Sequence, residues 1–277
     1  MTENHADLIL VNGKIATQND RRSFAEALAI SDGKFVAVGS EREIAAFQSD
    51  KRKVVNLNGR TVIPGLNDSH MHLIRGGLNY NLELRWDGVP SLADGLRMLR
   101  EQAGRTPAGQ WVRVVGGWSE FQFAECRMPT LEELNRAAPD TPVFVLHLYD
   151  RALLNRAALR AVGYTKDSPN PPGGEIVCDA AGTPTGLLLA KPNAAILYAT
   201  LAKGPKLPPE YQVNSSRHFI RELNRLGITS IIDAGGGFQN YPEDYQVIDQ
   251  LHKNGELTVR IAYNLFTQKP KEELADF

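Results

Sequence analysis

Between Asp7 and Val62 the apolar positions come in short β-branched runs broken by turn residues, a pattern of strands and tight turns. Leu8-Ile9-Leu10-Val11 is followed by Asn12-Gly13. Glu26–Ile30 and Lys34–Val38 flank Asp32-Gly33, the residue pair preferred in a two-residue hairpin turn. Ser40 with Glu43 three positions on predicts a capping box opening a short helix through Phe47. Lys53–Leu57 reads as another strand, and Arg60–Ile63 leads into the Pro64-Gly65 break.

From Gly65 the pattern becomes strand–helix alternation, which argues for a parallel α/β arrangement. Ser91 and Asp94 open a helix over Leu92–Ala103, and Thr130 with Glu133 opens one over 131–138. Trp111–Val115 and Val143–Leu146 read as strands. Residues 163–186, rich in Gly and Pro, read as an irregular insertion, with Leu187–Leu189 a short strand after it. A long helix runs from Pro209 to Leu226, its stripe formed by Tyr211, Phe219, Leu223 and Leu226, with Gly227 closing the end. Ile228–Asp233 is a strand, 243–253 a helix and Val259–Phe266 the last strand, about six barrel-type strands in all.

Composition narrows the class little. The chain has 277 residues, 42% hydrophobic, and a formal net charge of −1. Acids and bases are interspersed, so nothing points to a nucleic-acid partner or an anionic membrane. No apolar run is long enough to span a bilayer, and the first residues lack the basic-then-apolar order of a secretory signal. Cys126 and Cys178 stand alone without CxxC spacing, and the expectation is a cytoplasmic protein with inert thiols.

The chemistry gathers in Pro64-Gly65-Leu66-Asn67-Asp68-Ser69-His70-Met71-His72-Leu73. Alternate residues of an extended chain share a face, so His70 and His72 present two imidazoles side by side to a divalent metal. Asp68 shares that face and is placed to orient an imidazole. A bare His-x-His is equally the mark of two histidines on a solvated loop.

PGLNDSHMHL resembles the first metal motif of the amidohydrolase superfamily. GQWVRVVGGW at 109–118, MPTLEEL, PVFVLHLYDRALLNRAAL from Pro142, GGEIVCDAAGTPTGLLL at 173–189 and LGITSIIDAGG at 226–236 are similar to its family 3. The resemblance implies an α/β fold: a small β-sandwich-like domain followed by a TIM-like (β/α) barrel. On that basis residues 1–63 are a β-rich half-sandwich and 64–277 the N-terminal portion of a barrel, incomplete in this chain. It implies a hydrolase of non-peptide carbon–nitrogen bonds in amides, formamides or cyclic amides, using one or two divalent ions, zinc being the expected one. The expected partner is a small amide-type substrate, with self-association into a homo-oligomer. The family's general-base aspartate would lie beyond Phe277, so little activity is expected of this chain alone, and its open strand edges favour aggregation. A deaminase of a heterocycle and a non-catalytic scaffold are the alternatives.

Other candidates follow from position at strand ends. The resemblance suggests Lys191 as a further ligand if carbamylated, since an ammonium cannot ligate a cation; a solvated lysine is the plainer reading. His147 and Asp150 stand as pocket residues or as a hydrogen-bonded structural pair. Asp233 either faces the pocket or caps a helix, and Trp118 either walls the pocket or packs in the core. Gly235-Gly236-Gly237 lacks the lysine and hydroxyl of a phosphate loop, and neither a GxSxG elbow nor a Cys–His pair supports covalent catalysis.

Overall fold

Asp32 and Gly33 carry φ angles of 49° and 71°, so the expected hairpin turn forms, joining Ala27–Ser31 to Lys34–Gly39 with Ser31 opposite Lys34. The computed structural model describes residues 5–47, 53–236 and 239–265. It divides the chain into two compact units, Met1–Leu66 and Asn67–Phe277.

In the first unit a four-stranded sheet runs in the order Lys34–Gly39, Ala27–Ser31, Leu8–Val11, Lys53–Asn56. A three-stranded sheet pairs Phe24–Ala25 and Thr61–Val62 with Lys14–Ala16. Ser40 and Glu43 make the capping box, but the helix stops at Ile44, whose side chain joins Ile9, Ala27 and Ala29 in a small core.

The second unit holds mixed α/β structure. Glu83–Leu84, Val112–Val114 and Val143–His147 are parallel neighbours. The sheet then departs from the all-parallel expectation. Arg151–Leu154 turns back antiparallel on Val143–His147, a strand the sequence pattern did not separate. The insertion expected at 163–186 is partly regular, since Gly174–Cys178 pairs antiparallel with Pro184–Ala190, which in turn pairs with Arg151–Leu154. Leu148 reverses the chain with φ 47°, and the Asp179 carboxylate accepts from the N–H groups of Ala181 and Thr183 in the turn between the other two strands. Turn chemistry therefore made hairpins where Gly and Pro content suggested irregular chain. A second sheet pairs Leu66–Met71 with Ile228–Asp233, and Ile228–Asp233 in parallel with Arg260–Tyr263. Among the described residues neither sheet closes into a barrel.

The strand bearing the first histidine thus begins after Pro64-Gly65, while Thr61–Val62 belongs to the preceding unit. Proline has no N–H for a ladder, which separates the two strands there.

On the long helix Pro209–Arg225 the buried face is Val213, Ser216, Ile220 and Leu223; Tyr211 and Leu226 are exposed. That face packs on the helix Leu73–Asn79, where Gly77 admits Ser216 so closely that a methyl group on it would stand 2.8 Å from the Ser216 Oγ. Small residues let the two backbones approach, which a count of large apolar side chains does not reveal. Trp86, Trp118 and Phe123 form the aromatic centre of another core, with ring centroids 5.0–5.9 Å apart.

Candidate metal centre and the cavity beside it

Leu66–Met71 is an extended strand and His72 is the N-cap of the helix Leu73–Asn79, so the two histidines stand where strand becomes helix. Their ring centroids lie 5.5 Å apart with planes at 82°. Two imidazoles on one tetrahedral zinc, each bonded at about 2.0–2.1 Å, would have centroids about 5 Å apart. The observed spacing fits a shared ion.

His72 Nδ1 is 2.5 Å from the carbonyl oxygen of Gly235. A carbonyl only accepts, so Nδ1 carries a proton, which in the neutral ring puts the lone pair on Nε2, the tautomer a metal ligand needs. Gly236 supports the same ring from its own backbone: with φ 130°, a Cβ there would stand 3.2 Å from His72 Cε1. These residues fit a divalent metal as a partial donor set. Among the described residues, no group of three or more His, Cys, Asp or Glu is placed to hold one.

Asp233 is fully buried at the end of its strand. Its carboxylate accepts from the backbone N–H of Ile74 at 2.9 Å and of Gly235 at 2.8 Å. It caps the helix that follows His72, a helix with no side-chain cap of its own. Asp68 accepts from the backbone N–H of His70 at 3.0 Å, so it fixes the strand rather than an imidazole.

The remaining candidates sit elsewhere. Lys191 is ion-paired with Glu175, its side chain 59% exposed. Trp118 is buried in the aromatic core and donates from Nε1 to the Leu146 carbonyl at 2.9 Å. His147, also buried, lies between two carboxylates, Glu120 at 2.6 Å from Nε2 and Asp150 at 3.0 Å from Nδ1. The sequence offered no sign of Glu120, which is distant along the chain and reaches His147 from a short 3-10 turn.

A cavity of about 380 Å³ opens beside His72, walled also by Arg75, Glu83, Arg85, Arg113 and Tyr198. That volume is in the range of small-molecule sites. Burial pushes the Glu83 carboxyl up to about 7, against the pull of Arg85, Arg75 and Arg113. Burial likewise raises the Tyr198 phenol and lowers the Arg113 guanidinium.

A profile of the amidohydrolase family matches residues 53–277. The chain belongs to amidohydrolase family 3. The chain is 32% identical over 238 residues to Protein LONG AFTER FAR-RED 3 of Arabidopsis thaliana, covering 84% of the chain and 39% of that protein. It is 34% identical over 185 residues to the N-substituted formamide deformylase of Arthrobacter pascens, covering 66% of the chain and 34% of the enzyme. The chain therefore spans well under half the length of these two relatives. The crystal structure of an uncharacterized metal-dependent hydrolase from Pyrococcus horikoshii superposes with a TM-score of 0.58 at 21% identity, over 93% of this chain and 48% of that one. The chain thus shares the fold of this metal-dependent hydrolase. Among its described residues, no helix is long and apolar enough to cross a membrane.

The cavity arginines were not singled out in the sequence, where Arg75, Arg85 and Arg113 are scattered over separate segments. Only the sheet and the helix Leu73–Asn79 bring them to one space.

Proposed function

We propose that this amidohydrolase chain carries the first metal-binding element of a hydrolase of non-peptide carbon–nitrogen bonds, with amides or formamides as substrates. The pairing of His70 and His72 carries this reading: rings 5.5 Å apart, one of them held by the Gly235 carbonyl in a ligating tautomer. The name of the Arthrobacter pascens relative supports the formamide class. A divalent ion held by these two histidines would supply an acidified water and a Lewis acid for the substrate carbonyl.

The chain's own residues do the rest. Gly235 and Gly236 orient His72, Asp233 anchors the turn and helix on either side of it, and the cavity receives the substrate body. A catalytic zinc takes three protein ligands, so the two histidines bind an ion weakly and this chain turns over little substrate.

Zinc titration of the chain and of a His70→Ala/His72→Ala variant tests the reading. The expected result is one ion bound per chain at roughly micromolar strength, lost in the double variant. Equal zinc binding by both proteins overturns it. Hydrolysis of N-benzylformamide followed in parallel is expected to be slow or undetectable; rapid turnover would refute the weak-site statement.

A further inference from the structure

The end of the strand Val143–His147 carries a charge cluster that the histidine pair does not use. His147 is 4% exposed, yet both of its ring nitrogens face carboxylates, Nε2 at 2.6 Å from Glu120 and Nδ1 at 3.0 Å from Asp150. An ionised carboxylate only accepts, so each ring nitrogen donates and the ring is an imidazolium. Both carboxyls are held below the ordinary range. Burial works against this, but hydrogen bonds from its own backbone and His147 for Glu120, and from Arg151 and His147 for Asp150, outweigh it. The charged groups around the ring come from three places: Glu120 from its 3-10 turn, Asp150 from the turn after the strand, and Arg151 from the antiparallel strand Arg151–Leu154. Arg151 grips Asp150 through two nitrogens. Trp118 closes another side, its ring edge to face with His147 at 5.4 Å between centroids.

The cluster joins two stretches that wall the cavity. Gly116-Gly117 precede the Glu120 turn, Leu148-Tyr149 lie between His147 and Asp150, and all four residues line the cavity. Leu148 has φ 47°, a left-handed conformation that strains a leucine. Its turn is closed by the Tyr149 N–H donating to the His147 carbonyl at 2.8 Å and by the His147–Asp150 pair. Tyr149 packs there on the Tyr198 ring, centroids 6.0 Å apart. A strained turn held by an ion pair has a second state open to it once the pair is lost.

We propose that the His147 imidazolium is a latch on the cavity wall, holding the Leu148–Tyr149 turn closed and releasing it when the ring gives a proton to solvent. A neutral imidazole has one N–H, so it donates to only one of the two carboxylates and presents a lone pair to the other. The Glu120 contact is the shorter, and that carboxylate is 17% exposed against 51% for Asp150, so Asp150 is the partner given up. With it goes the tie on the strained turn. The latch needs no metal at His70 and His72.

Nuclear magnetic resonance of the full chain tests this from about pH 5.5 to about pH 9, a range that spans ordinary histidine titration. It reads the His147 ring nitrogens and the exchange protection of the Tyr149 and Asp150 amides, each rate corrected for the intrinsic effect of pH. At the acid end both ring nitrogens should carry protons, and protection should fall at least about threefold as one of them is lost. Glu83, on the same cavity, changes charge in this range, so the profile is compared with that of His147→Gln, which keeps Glu83 and should show low, flat protection. Glu120→Gln separates a latch from a merely structural pair. Its amide N–H donates to a deprotonated Nε2, so the turn should stay closed at the alkaline end. A ring that keeps or lacks its charge across the whole range, protection that ignores the loss of the ring proton, or a Glu120→Gln turn that opens as in the wild type would overturn the proposal. The ring and amide readings on the wild-type chain decide it even where a variant fails to fold.

Discussion

Asp233 and Ile74, 159 positions apart, are joined by a buried hydrogen bond of 2.9 Å from the Ile74 N–H to the Asp233 carboxylate. The same carboxylate takes the Gly235 N–H, and the Gly235 carbonyl in turn receives His72 Nδ1. One side chain therefore sets both the helix start and the turn that hold His72. Asp233→Ala leaves two buried N–H groups without a partner and should cost roughly 2–4 kcal/mol. Urea denaturation measures this. A loss below about 0.5 kcal/mol would show that the cap carries no weight.

Gly236 limits what can stand against His72. Its φ of 130° and the 3.2 Å from a would-be Cβ to the ring make Gly236→Ala both strained and crowded. The expected outcome is a stability loss of about 1–3 kcal/mol and weaker zinc binding than wild type. Unchanged zinc affinity would mean that the ring orientation does not depend on this contact.

Acid should weaken the capping box at Thr130. The Arg127 guanidinium hydrogen-bonds Glu133 and, with Thr130, holds its carboxyl down at about 2 from an ordinary 4.5. Below its unfolded value the unfolded chain binds the proton more readily. The stabilisation is therefore full above about pH 4.5 and is lost as the pH falls towards 2. Glu133→Gln should cost about 1 kcal/mol at neutral pH and flatten the melting temperature across that acid window.

Glu83 should do the reverse. Its folded carboxyl keeps a proton up to about 7, whereas the unfolded group releases it near 4.5. Between those values the unfolded chain binds fewer protons, so stability falls as pH rises through the window, by about 3 kcal/mol at most. Glu83→Gln should remove that slope; a variant with the wild-type pH profile would assign it to another group.

Asn155 is fully buried and makes four hydrogen bonds. Its Oδ1 takes the N–H groups of Val143 and Ala158, and its Nδ2 donates to the carbonyls of Ala138 and Thr141. Asn155→Ala should cost about 3–4 kcal/mol, and Asn155→Asp, which keeps the acceptor and loses the donors, about half as much or more. Thermal melts of the two variants separate the halves of the network.

Some of this structure is decided within a few residues of chain. Ser40 with Glu43, Thr130 with Glu133, the Asp32-Gly33 turn and the strand Ile228–Asp233 are all legible, because cap, turn and strand are set by neighbours. The spacing of His70 and His72 is legible for the same reason, since an extended chain puts alternate side chains on one face. What each residue touches across the fold is not. Gly235 reaches His72 over 163 positions, and Ser215 reaches the Gly77 carbonyl over 138. The buried stripe of Pro209–Arg225 differs from the one its large apolar residues predict, because its contact uses Ser216 against Gly77, where close approach matters more than apolar size. The hairpin over 174–190 was hidden by its Gly and Pro content, and the arginine-lined cavity by the distance between its arginines in sequence. Local pattern determined the elements and the paired histidines. The tertiary structure decided their partners, because burial and long-range hydrogen bonding depend on which surfaces meet, and no short stretch of sequence contains both.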